Sequence, residues 1–223
     1  MQRYPKKNLS SFLLENKETA ITSLVIVFCL ALSVFFPTKN SAQLFTSNIF
    51  FLVIIPILYY KLILKIKISE LGLALNDKKI GFFGGALMFL VNLIIFYLLY
   101  QFTDFNQNYL LSPHIVHNFW IFLFYELLVA NMFVFIQEFF WRGFILLYFS
   151  RKIGPLAIFL QFIIFVGVML LISQNSFWQM APTLVISLTS GIIVYKNRSI
   201  FYSWIFSLLS ILILDSFIIY HLK

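Results

Sequence analysis

The chain has 223 residues, of which 61% are hydrophobic, 20% aromatic and 11% charged. A soluble domain carries about a quarter charged residues, and a globule of this size has too little interior to hide so much apolar surface from water. The composition excludes a secreted disulfide scaffold, a nucleic-acid-binding module and a coiled coil, and it places the chain in a bilayer.

Residues 1–18 form a basic leader with Arg3, Lys6, Lys7 and Lys17. Leu9, Phe12, Leu13 and Leu14 lie among these charges, a pattern that predicts a short amphipathic helix on the membrane surface. Residues 19–223 read as one transmembrane domain without repeats. A spanning helix needs about 20 mostly apolar residues, and seven runs qualify: 19–36, 48–66, 80–102, 119–149, 155–173, 177–195 and 199–221. The first is too long for a signal peptide and lacks a small-x-small cleavage site, so it reads as a mature span. It holds the single cysteine, Cys29, which reads as a buried small hydrophobe. The fourth run is longer than a bilayer requires; it is tilted, extended beyond the membrane, or broken to give an eighth span.

Thirteen of the sixteen Lys and Arg residues fall in the leader and in alternate loops: at 61–79, at Arg151 and Lys152, and at Lys196 and Arg198. The positive-inside rule then puts the N-terminus and these loops in the cytoplasm. The excess charge belongs to topology and to anionic headgroups rather than to nucleic acid.

An ionisable residue inside a span costs a few kcal/mol and calls for a partner or a role. Glu126, Glu138, Arg142 and Asp215 are such residues. Glu138 and Arg142 stand at i and i+4 with the acid N-terminal, the favourable order for a helical ion pair. Gln137 follows Glu126 by eleven residues and so lies within about 20° of the same helix face. With Asn131 and Gln161, these two outline a polar cavity. One reading is structural, an ion pair with hydrogen-bonding glue between helices; the other is a site facing water. No metal is expected within the bundle, because the spans lack a second thiol and histidine. His114 and His117 sit in the loop after the third run, and His221 near the end of the chain. No cofactor is implied.

The segment Gln137-Glu138-Phe139-Phe140-Trp141-Arg142-Gly143-Phe144 resembles the first motif, Glu-Glu-x-x-x-Arg, of the CPBP family of CAAX prenyl proteases and bacteriocin-processing intramembrane proteins. Glu70-Leu71-Gly72-Leu73 resembles the family's stretch before a span, and Pro155, Ala157 and Phe165 match its next helix. The resemblance implies an all-α polytopic bundle over about residues 65–215. In the family the first motif glutamate is the general base on a water, and two later histidines and an asparagine hold substrate and oxyanion. At the corresponding positions this chain has Gln137, Met169, Ser207 and Ile211. An amide has no accessible basic lone pair near neutral pH. Glu138 and Arg142 remain.

Taken together, the expectation is a degenerate, CPBP-like protein of about seven helices in a bacterial plasma membrane. It serves as a scaffold or regulatory subunit for a partner membrane protein and contacts lipid but no nucleic acid. An active intramembrane protease and a small transporter or bacteriocin-immunity protein stand as alternatives. Glu138 and Arg142 are expected to form a bidentate lock, with Gln137 and Met169 lining one cavity.

Overall fold

The computed structural model describes residues 9–105, 109, 118–172 and 177–222, all-helical apart from short connections. His114 and His117 lie outside these residues. The helices are α1 (Leu9–Phe35), α2 (Ser41–Ile63), α3 (Lys78–Phe102), α4 (Phe119–Ile153), α5 (Leu156–Ile172), α6 (Phe177–Asn197) and α7 (Ile200–Leu222). Six of them are long and apolar enough to cross a membrane; α5, with 17 residues, is shorter. The polytopic bundle of about seven helices expected from the hydropathy is the observed architecture.

Local chemistry sets the helix starts. Asn40, Asp77 and Asn118 each accept hydrogen bonds from backbone N–H groups of the first turn of α2, α3 and α4, satisfying donors that a helix leaves free. The Asn40 cap starts α2 seven residues before its apolar run, so Ser41–Ser47 is helical although polar. The leader is helical from Leu9 and runs into the first span without a break. The overlong fourth run is one helix, Phe119–Ile153, so no eighth span arises from a split there. The extra length is accommodated with π-helical stretches at Tyr125–Ala130 and Glu138–Leu146.

Residues Glu138–Leu146 are buried on every side, the mark of a central element. Around them pack α5, α6, α7, part of α2 and the short 3-10 turn Ile68–Leu71. Tyr60, Phe139, Phe140, Phe144, Phe165 and Ile200 fill the main core there. A second core joins α3 to α6 and α7 through Met88, Phe96, Ile186, Leu214 and Ile218. The approach of α3 to α7 depends on glycine: a Cβ at Gly85 would run into the Phe206 ring, and one at Gly81 into Tyr202.

The basic connections meet at one end of the bundle. Lys152 pairs with Glu18 at 3.8 Å, Arg151 with Glu70 at 2.7 Å, and Asn76 Nδ2 donates to the Arg198 carbonyl at 2.8 Å. The loops that the charge count grouped on one membrane face are thus gathered in space.

Candidate functional site

Where the hydrocarbon offers no water, a carboxylate and a guanidinium need partners from the protein. Glu138 stands on the buried π-helical stretch of α4, with 1% of its surface exposed. Its partners are two hydroxyls of α7: Ser203 Oγ donates to Oε2 at 2.7 Å and Ser207 Oγ to Oε1 at 3.1 Å. Arg142 is 2% exposed. Its Nε donates to Ser190 Oγ of α6 at 2.8 Å, and its guanidinium carbon lies 5.7 Å from the Phe165 ring centre, within cation–π range.

The expected bidentate lock is corrected here. Arg142 Nε and Glu138 Oε2 are 3.8 Å apart, beyond hydrogen-bond distance. Each charge is held across a helix interface by serine, and the direct pair is only a longer-range attraction.

The polar-seam expectation also changes. Glu126 is fully buried, and neither of its oxygens has a donor among the described residues. The Asp215 carboxyl of α7 is near enough to act on it electrostatically. Asp215 Oδ1 also accepts from the Tyr109 hydroxyl. Gln137 is half-buried, and its Oε1 has no partner among the described residues. Asn131 turns elsewhere: its Oδ1 accepts from Trp204 Nε1 at 2.9 Å and its Nδ2 donates to the Leu127 carbonyl. Gln161 Nε2 donates to Ser187 at 3.2 Å. Asn131 and Gln161 thus bond to different helices, α7 and α6. Met169 is half-buried against the main core and Ile211 against the second.

Sequence reasoning missed Ser203 and Ser190. For Ser203 the signal was periodic: Ser199, Ser203, Ser207 and Ser210 recur at helical spacing in an apolar run, and all four are fully buried. Ser210 continues the polar line, accepting from Asn92 Nδ2 at 3.2 Å, while Asn92 Oδ1 accepts from Thr189 at 2.9 Å. Among the described residues no three His, Cys, Asp or Glu side chains gather as metal ligands.

The first-motif glycine has a geometric reason. A Cβ on Gly143 would come within 2.5 Å of the Leu71 carbonyl oxygen. The 70–73 stretch is therefore seated directly against the motif, with Ile200 N donating to the Gly72 carbonyl at 3.0 Å.

Residues 117–210 match the family model of Rce1-like type II CAAX prenyl endopeptidases. This stretch is similar to that family. It covers less than half of the chain and contains Glu138, Arg142, Ser190, Ser203 and Ser207, so the polar centre lies within it. The resemblance read from the 137–144 segment has independent support there, while the 70–73 stretch lies outside the matched residues. No curated protein and no solved structure matches the chain.

Proposed function

We propose that this is a catalytically degenerate CPBP-type membrane protein that holds a partner membrane protein through its helices without cutting it. The observation that carries the reading is the partnering of Glu138. Both carboxylate oxygens are taken by serine hydroxyls, in a polar centre whose neighbouring base position is the amide of Gln137. A carboxylate engaged twice, beside a group that cannot take a proton, is poorly placed to activate water. Met169 and Ile211 lack the polar groups that would steady an oxyanion. The basic end of the bundle is cytoplasmic on this reading, in a bacterial plasma membrane with the N-terminus inside.

The second reading is an active intramembrane endopeptidase, favoured by the Rce1-like match and by the retention of a buried carboxylate at Glu138. The two are separated by incubating the purified full-length protein with a prenylated CAAX peptide. The scaffold reading expects no cleavage above that of Gln137→Ala, together with one stoichiometric membrane protein recovered by crosslinking in native membranes. Turnover that Gln137→Ala or Glu138→Ala abolishes overturns it.

A further inference from the structure

A polar cavity of about 410 Å³ opens at the basic end of the bundle, lined by Ser69, Glu70, Asn76, Leu147, Arg151 and Arg198 among others. Its charges do not cancel. Glu70 Oε2 is engaged by Arg151 Nη2 at 2.7 Å, whereas Arg198 has no acidic partner among the described residues. The cavity keeps one uncompensated positive charge.

Arg198 is also held in place. It follows the last residue of α6 with φ at +57°, a left-handed position where glycine is the unstrained choice. Asn76 Nδ2 pins the backbone by donating to the carbonyls of both Asn197 and Arg198. The guanidinium rests over the Tyr195 ring at 5.4 Å, and Nη1 donates to Ser150 Oγ. One nitrogen is thereby used, and the rest of the fork has no acceptor among the described residues. A large cationic side chain in a position suited to glycine, fixed on one edge and exposed on the other, can take an external acceptor with the rest of its fork.

We propose that this cavity binds the phosphate group of an anionic phosphoester. Arg198 is the main donor, and the exposed part of Arg151 and the Ser69 hydroxyl stand beside it. The planar fork of arginine matches two phosphate oxygens, and Glu70 does not repel the anion as long as Arg151 neutralises it. An anionic phospholipid headgroup and a free phosphate share this chemistry. The site is separate from the Glu138 centre and does not depend on how that centre is read.

The test uses the full-length protein in detergent, with its melting temperature followed on addition of phosphatidylglycerol, phosphatidylcholine or inorganic phosphate. Phosphatidylglycerol is expected to raise the melting temperature more than phosphatidylcholine does. Arg198→Gly, which suits the backbone angle, removes that difference and weakens apparent phosphatidylglycerol affinity by about tenfold or more. Arg198→Lys keeps the charge without the fork and falls between, giving a readout even if the glycine variant folds poorly. Lys39→Ala, between α1 and α2, leaves the response intact. A response to inorganic phosphate alone, weakened in Arg198→Lys and lost in Arg198→Gly, identifies a soluble phosphate as the ligand; silence to it with the phosphatidylglycerol preference present identifies the headgroup. Equal responses to the two lipids with no response to phosphate, or a phosphatidylglycerol response unchanged in both Arg198 variants, overturns the proposal.

Discussion

Ser203 Oγ lies 2.7 Å from Glu138 Oε2, closer than the guanidinium one turn along the same helix. The buried acid of α4 is therefore tied first to α7, and its link to Arg142 is secondary. Hydrogen bonds to charged groups contribute about 1.5–3 kcal/mol each. Ser203→Ala is expected to cost about 2 kcal/mol, and Ser207→Ala, at the longer 3.1 Å contact, less. Unfolding of the purified variants in a graded denaturant series checks the order.

Removing one member of a buried charge pair strands the other, at about 3–5 kcal/mol. Arg142→Met should fall below that range, because Glu138 keeps both of its serine donors. In a double-mutant cycle with Glu138→Gln, the coupling should stay near the low end of the usual range, about 1 kcal/mol, since serines hold each charge independently. A coupling of several kcal/mol, measured from the same melts, would restore the direct lock.

Glu126→Gln should behave in the opposite way from Glu138→Gln. The amide removes a like charge from the neighbourhood of Asp215 and brings a donor to a site where the carboxyl of Glu126 has none. The variant should stay within about 0.5 kcal/mol of the parent, while Glu138→Gln loses measurable stability. Parallel thermal melts of the two variants decide.

Gln137→Glu alone should produce no proteolysis. It restores a base beside Glu138, but Met169 and Ile211 still offer nothing to an oxyanion. Mass spectrometry of a prenylated peptide after prolonged incubation reads this directly, and any cleavage product would locate the whole lesion at position 137.

Gly85→Ala should destabilise by about 1–3 kcal/mol, the usual cost of overpacking, because the new methyl meets the Phe206 ring. Gly167→Ala is the matched control: nothing lies within 4 Å of its Cβ position, so the better helix propensity of alanine leaves it level or gains about 0.5–1 kcal/mol. The difference between the two melting temperatures is the readout.

Much of the fold was legible because hydrophobic length is a direct physical requirement of the bilayer. The 80–102 and 199–221 runs became α3 and α7 with shifts of one or two residues. The start of α2 was less legible, since it depends on the Asn40 side chain rather than on hydropathy. At the polar centre, the spacing of Glu138 and Arg142 correctly signalled two buried charges. It could not show that serines on two other helices would reach them first, because one helix's periodicity says nothing of its neighbours' rotation. The nearness of Glu126 and Asp215 is the same case: the two residues lie on different helices far apart in sequence, and only packing brings them within electrostatic reach. Ser203 and Ser190 were overlooked because serine is a common residue in membrane helices, and a single one carries little signal.

The joint between α6 and α7 bears on how the protein is made. Only Arg198 and Ser199 separate the two helices. The α6 span has a mean hydropathy of 1.2, the lowest of the six, against 1.9 for α7. It is also the most enclosed, carrying Ser187 and Ser190 toward the polar centre. Alone, such a segment partitions weakly from the translocon into lipid. Joined to a strongly apolar neighbour by a two-residue turn, it enters as one half of a helical hairpin. Lengthening that turn with a flexible linker should leave α6 stranded outside the bilayer during synthesis, with α4 already in place and its buried charges waiting for partners that arrive late.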